Sequence, residues 1–351
     1  MTSPLRTVLI GFGNVAAGYA EDQTAARYYR YATHAQVLVD HPEFDWGAVI
    51  DVSEKALERA HRQWAIRYLA KSAEELVDTY EPEVAVIATP PDSRLEAIER
   101  LPTLRAVLVE KPLGLNVAES QELMQYCERR GLLVQVNTWR RADEAMRGLA
   151  AGRLEELVGK PQAIFGLYGN GLLNNGIHLV DLAEFLFGAV EGVQAVGGVV
   201  PYPAGPIPSD VNIPFTLRLR NQVLASFQAL RYEHFRESYL DVWGEKGRLT
   251  IMQEGLEMVH YSRRQHRAML GEYEVASDEP VRLGSTAGEA FYHVYSNLAA
   301  AVRGEERLWS PGEVMLRTAT VIDAVIESAY RENAVIELGK ADDGSGVDAF
   351  D

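Results

Sequence analysis

Five short runs of apolar residues punctuate the first 140 positions: Thr7–Ile10, Trp46–Ile50, Val84–Ala88, Ala106–Val109 and Leu132–Val136. None alternates with polar residues. A strand with one wet face alternates; a strand that does not is covered on both faces, as in a parallel sheet sandwiched between helices. Helical patterns fill the gaps. Glu54–His61 follows the cap Ser53, Arg94–Leu101 follows Pro91, and Val117–Arg130 opens on Asn116 and Glu119 in a capping-box-like spacing and stops at Gly131. Strand and helix in alternation predict an α/β domain with a doubly wound parallel sheet, spanning residues 1–138.

The texture changes beyond about residue 160. Gly171–Phe187 reads as a largely buried helix. Strand-like segments then follow one another with little helix between them: Val193–Val200, Ile213–Arg220, Val223–Leu230, Arg248–Met252 and Met258–Tyr261. Pro214–Arg220 alternates apolar with polar, the pattern of a half-exposed antiparallel strand. Two helices, Glu289–Val302 and Gly312–Arg331, complete an expected α+β domain over 139–340 with an open-faced, mostly antiparallel sheet. The last residues, 341–351, rich in Asp and Gly, read as a frayed tail.

Composition narrows the partners. With 34 Lys and Arg against 50 Asp and Glu, the formal charge of −16 opposes nucleic acid and anionic lipid. No apolar stretch reaches the roughly 18 residues of a membrane span. Gly11, Gly13 and Gly18 interrupt the N-terminal apolar run, which favours a strand and turn over a secretory signal. The single cysteine, Cys127, excludes a disulfide within the chain, and no Cys/His spacing suggests a metal site. These features predict a reduced, cytoplasmic setting and a small-molecule ligand.

Ile10-Gly11-Phe12-Gly13-Asn14-Val15-Ala16 follows the first strand and opens a helix, giving G-x-G-x-x-A. Gly11 permits a tight turn, Gly13 lets backbone approach a pyrophosphate beside Asn14 and Val15, and Ala16 allows close packing. Asp51, at the end of the second strand, is placed to accept hydrogen bonds from ribose hydroxyls. It favours NAD over NADP, whose 2′-phosphate would meet like charge; a capping role is the alternative. The gap from Gly13 to Asp51 exceeds the usual ~20 residues. Its excess, Ala20–Thr33, is either a longer first helix or an excursion toward substrate. Thr89-Pro90-Pro91 ends the third run where a nicotinamide ribose would lie. Glu110-Lys111-Pro112 ends the fourth.

Four motifs together resemble the Gfo/Idh/MocA (glucose-fructose oxidoreductase, inositol dehydrogenase, rhizopine catabolism) family: Gly11-Phe12-Gly13, Ala88-Thr89-Pro90-Pro91-Asp92-Ser93, Glu110-Lys111-Pro112 and Gly176-Ile177-His178-Leu179-Val180-Asp181. They stand in that family's order along nearly the whole chain. The resemblance implies a Rossmann domain, NAD(P), and sugar, polyol or nucleotide-sugar substrates. It implies that Lys111 contacts substrate and nicotinamide ribose, and that His178 is the acid/base histidine. The chemistry agrees: an imidazole titrates near neutrality and can take a hydroxyl proton, and an ammonium stabilises charge on the oxygen. One departure is Asn174, where the family often has Asp. An amide is no base at neutral pH, but it can hold a hydroxyl. Asp181 either orients His178 or is structural. Glu110 reads as structural, turned from the cofactor.

Tyr168, Asn170 and Asn175 flank this helix as candidate pocket residues, and Trp139 and Arg140 follow the fifth run, where arginines either bind an anionic group or form a charged turn. The expected activity is hydride transfer to or from a hydroxyl-bearing carbon. A family glycosidase using NAD in transient oxidation, or an NAD-binding sensor without turnover, are the alternatives. An open sheet exposes an apolar face, so a homodimer or homotetramer is expected through it.

Overall fold

The apolar runs are neighbours in one parallel sheet. In the computed structural model, which describes residues 3–339, this sheet carries β1 (Leu5–Ile10), β2 (Phe44–Ile50), β3 (Tyr68–Ala70), β4 (Val84–Ile87), β5 (Ala106–Val109) and β6 (Leu133–Val136) in the order 3-2-1-4-5-6. Every pairing is parallel. The side chains of β4 and β5 are buried throughout, as non-alternating runs require. β3 carries no such signal: it is three residues long, at the sheet edge, with two exposed side chains. The strand order reverses between β1 and β4, which puts a topological switch point at their carboxyl ends.

Contacts divide the chain into two units: residues up to Asp143 with Ala287–Arg317, and Glu144–Thr286 with the described residues from Thr318 onward. Segment 287–317 thus packs on the parallel-sheet unit, where Tyr295 and Leu298 join its core. The expected tail lies outside the described residues.

The excess between Gly13 and Asp51 is an excursion and not a lengthened helix. The chain leaves after Ala17, makes 3-10 turns at Gly18–Glu21 and Ala25–Arg27, and resumes as α1 (His34–Asp40). His34 N reaches Val15 O at 3.2 Å and Ala35 N reaches Ala16 O at 2.9 Å, so the insert returns to its point of departure. Asp22 Oδ1 accepts from Thr24 N and Ala25 N, and this local turn competes with helix. The insert docks within its own unit. Tyr31 packs tilted against Tyr292 at 5.1 Å, and Tyr29 meets Trp139 edge-on at 6.5 Å. Gly288 allows the approach, since a Cβ there would stand 2.4 Å from Tyr28 O.

The second unit is built on a ten-stranded sheet. Its strands pair antiparallel except Leu224–Ala229, which runs parallel to β7 (Pro161–Tyr168). Phe215–Leu219 alternates buried and half-buried as its sequence predicts. Tyr168, Phe215 and Phe227 pack on the covered face, with the last two rings stacked at 4.9 Å. The opposite face shows Phe165, Leu224 and Trp243. Neither β7 nor Tyr239–Gly244 was legible beforehand, because glycine, proline and an exposed aromatic blur their alternation. Cys127 is buried in the first unit, and burial pushes its thiol up to about 11, so it stays protonated at neutral pH.

Candidate active site

The turn after β1 has the shape its glycines require. Gly11 has φ +83°, and a Cβ there would stand 2.8 Å from Thr89 Cγ2 and 3.0 Å from Ala88 O. Gly13 is exposed, and no atom lies within 4 Å of its would-be Cβ, so one side of the turn is bare backbone. Asn14 is exposed and Val15 half-buried beside it, while Ala16 is fully buried. Asp51 ties this turn to β2: its Oδ2 accepts from Phe12 N at 2.7 Å and its Oδ1 from Ser53 N at 2.8 Å. The capping alternative fails, since Ser53 caps the following helix through Ala56 N. Arg59, on that helix, lies over the Phe12 ring at 5.0 Å and bonds the Phe12 carbonyl.

Thr89 follows β4, half-buried, and its Oγ1 is buried without a hydrogen-bond partner; Pro90 is exposed. An orphaned hydroxyl beside a bare glycine turn is what a ribose or phosphate oxygen would satisfy. The residues present therefore fit a dinucleotide. Arg94 is the residue that sequence reasoning missed. It is buried, donates from Nε and Nη2 to Thr89 O at 3.1 and 2.9 Å, and also bonds Pro112 O. It laces the Thr89 strap to the turn after β5, where Lys111–Pro112 is cis. Burial lowers its guanidinium to about 10. One signal was available: Arg94 shares the i, i+4, i+7 stripe of Ile98 and Leu101, a charge on a buried helix face.

Lys111 is half-buried behind β5, in the first unit. Glu110 beside it turns into the core, 8% exposed, where it accepts from Asn137 Nδ2 at 2.5 Å and meets His34 Nε2 at 3.0 Å. Arg140, read from sequence as either an anion ligand or part of a charged turn, is buried with its guanidinium 4.4 Å from the half-buried Trp139 ring.

In the second unit, Leu172–Gly176 forms a π-type turn that runs into the helix Ile177–Phe187. His178 is half-buried in its first turn, and Asp181 is buried one turn later. Asn174 is 9% exposed and donates to Asn170 O at 3.1 Å and to Asn175 Oδ1 at 3.3 Å. A carboxylate that the sequence did not flag holds this turn: Asp210 accepts from Leu173 N and Val211 N through Oδ1 (3.0 and 2.8 Å) and from Asn174 N through Oδ2 (2.9 Å). Burial raises the Asp210 carboxyl, and these backbone donors only partly offset it. Tyr168, a candidate pocket residue from sequence, sits in the core of the second unit. It is fully buried, and its hydroxyl donates to Ile213 O at 2.7 Å and accepts from Ile213 N at 2.9 Å.

Comparison with known sequences matches these two halves separately. Residues 5–138 match the oxidoreductase family with NAD-binding Rossmann fold, and residues 154–250 match the Gfo/Idh/MocA C-terminal domain. The chain belongs to the Gfo/Idh/MocA family. Among curated relatives, mouse trans-1,2-dihydrobenzene-1,2-diol dehydrogenase is 31% identical over 173 residues, 43% of this chain and 52% of that enzyme. The match therefore spans about half the length of that relative. D-apiose dehydrogenase of Paraburkholderia graminis is 22% identical over 83% of this chain and 82% of its own. Among solved structures, the WlbA dehydrogenase of Bordetella pertussis, crystallised with NADH and UDP-GlcNAcA, superimposes with a TM-score of 0.70 at 18% identity, covering 95% of this chain and 99% of that one.

Proposed function

We propose that this chain is an NAD-dependent dehydrogenase that moves a hydride between nicotinamide and a hydroxyl-bearing carbon of a sugar, polyol or nucleotide sugar. The observation that carries the reading is the carboxyl edge of the parallel sheet. It presents a bare glycine turn clamped by Asp51, an orphaned Thr89 hydroxyl, and Lys111 on the next strand end. Bound NAD supplies the hydride acceptor. The chain's own residues do the rest. Gly11–Val15 and Thr89 hold the dinucleotide, and Asp51 takes the adenosine ribose hydroxyls and repels a 2′-phosphate. The Lys111 ammonium stabilises negative charge on the reacting oxygen, and His178 carries the hydroxyl proton. Asn170, Asn174 and Asn175 hold further hydroxyls, and Trp139 and Arg140 border the ligand. Named dehydrogenases of diols and sugars among the relatives support this substrate class.

Absorbance at the nicotinamide band, with NAD or NADP against panels of diols, free sugars and uridine-diphosphate sugars, tests the reading. NADH formation with one class is expected, with NAD preferred. Asp51→Ala should narrow that preference about tenfold, the worth of roughly one lost charge contact. No dinucleotide binding by calorimetry and no absorbance change would overturn it.

A cytoplasmic location suits the lone buried cysteine. Among the described residues, no helix is long and apolar enough to cross a membrane. The face bearing Phe165, Leu224 and Trp243 supports a homodimer or homotetramer. Sedimentation should show it at micromolar concentration; a stable monomer there would reject it.

A further inference from the structure

The insert at 18–33 is the largest feature that the proposed chemistry leaves unused. Both of its stems hang on the dinucleotide turn. Gly18 N donates to Gly13 O at 3.1 Å and Tyr19 N to Asn14 O at 3.0 Å on the way out, and His34 and Ala35 rejoin Val15 and Ala16 on the way back. Its far end lands elsewhere: Tyr29 meets Trp139, and Tyr31 N donates to Gly288 O at 3.3 Å. Trp139 opens the 3-10 turn Trp139–Arg141 beyond the carboxyl end of β6. In the sheet order β6 stands three places from β1, with β4 and β5 between. At the usual strand spacing that is about 14 Å. The insert therefore runs sideways along the carboxyl edge, past the strand ends that carry Thr89 and Lys111. Ligands of an open α/β sheet bind along that edge.

The Tyr29 and Trp139 rings meet with their planes 81° apart, so they form a corner and not a stack. Both are half-buried, which leaves part of each open. The corner is held from both sides. The Arg140 guanidinium lies 4.4 Å over the Trp139 ring. On the insert, the backbone of Tyr28 sits against Gly288 where no Cβ would fit, and the buried Tyr31 donates from its hydroxyl to Asp40 Oδ2 at 3.1 Å. Tyr29 lies between these anchors, with little freedom left to lose on binding. Aromatic walls recognise a ring-shaped ligand through its C–H faces at a small entropy cost. A rigid ring can touch both walls of a corner at once. An open-chain polyol must freeze several rotors to do the same.

We propose that the insert is a specificity element of the substrate site, in which Tyr29 and Trp139 form a fixed aromatic corner that selects ring-shaped substrates over open-chain polyols. This rests on the dehydrogenase reading above. The experiment compares KM and kcat of the whole protein on cyclic diols, free sugars and uridine-diphosphate sugars with those on glycerol and erythritol, beside calorimetric NAD titration. Tyr29→Ala should raise KM for the preferred ring substrate about tenfold, with kcat, NAD affinity and any turnover of glycerol or erythritol changed by less than about twofold. Tyr29→Phe keeps the ring and should match the unaltered protein. Tyr29→Leu keeps bulk without a ring face; it should shift KM the same way by less, and it serves if Tyr29→Ala does not fold. An unmoved KM overturns the proposal. So does a KM that rises equally for both classes or in step with weakened NAD binding, since the insert then only braces the dinucleotide turn. Preference of the unaltered protein for glycerol or erythritol over every ring also overturns it. No turnover of any probe would instead remove the dehydrogenase reading on which the corner stands.

Discussion

Lys111→Ala should lower kcat about a thousandfold while dinucleotide affinity changes little. Removing a charge that stabilises developing negative charge on oxygen typically costs 10²–10³, and losing proton transfer costs 10²–10⁴; at 1.36 kcal/mol per decade, a thousandfold loss is about 4 kcal/mol. Affinity should largely survive because most of the proposed dinucleotide contacts lie elsewhere: in the bare turn at Gly13, at Asp51 and at Thr89. His178→Ala should cost about a hundredfold to ten-thousandfold through loss of the proton carrier. Stopped-flow hydride transfer beside calorimetric NAD titration reads both quantities. Turnover retained in both single variants would remove the mechanism.

The contrast between Lys111 and Arg94 shows what the sequence made readable. Lys111 stands in a motif at a strand end, where strand period and turn residues announce position before any coordinate is known. The parallel strands were readable for the same reason: burial on both faces forbids alternation, so β1, β2, β4, β5 and β6 declared themselves. β3 did not, because two of its three side chains are exposed. The excursion after Ala17 was only half legible. Its length was visible, but its non-helical path follows from Asp22 capturing Thr24 N and Ala25 N, a competition that composition alone does not decide. Tyr168 shows the limit from the other direction. A tyrosine just ahead of the histidine helix looked like a ligand contact, but its hydroxyl is spent on both backbone groups of Ile213, 45 residues further on. Asp210 was illegible for a similar reason: its partners at 172–174 lie far back in the chain, and no local pattern marks a carboxylate that caps a distant turn.

That cap predicts the largest structural effect. Gly171 has φ +92°, and a Cβ there would fall 1.9 Å from Asp210 Oδ2 and 2.4 Å from its Cγ. Gly171→Ala must therefore either move the carboxylate or unwind the turn. Backbone strain at such a φ costs about 1–3 kcal/mol. Displacing Asp210 also frees the buried N–H groups of Leu173 and Asn174, each about 1–3 kcal/mol if left unsatisfied. The sum, about 3–9 kcal/mol, is enough to melt the turn that carries Asn174 and leads into His178. Asp210→Ala should release the same N–H groups without the backbone strain and cost less. In both variants NAD affinity should persist, because Gly11, Asp51 and Thr89 belong to the other unit. Substrate turnover should collapse, and amide exchange across 171–178 should accelerate. The double variant Gly171→Ala/Asp210→Ala should be less damaging than the sum of its parts, since the clash disappears with the carboxylate. Strict additivity, or a Gly171→Ala protein with native exchange and turnover, would show that Asp210 does not hold this turn.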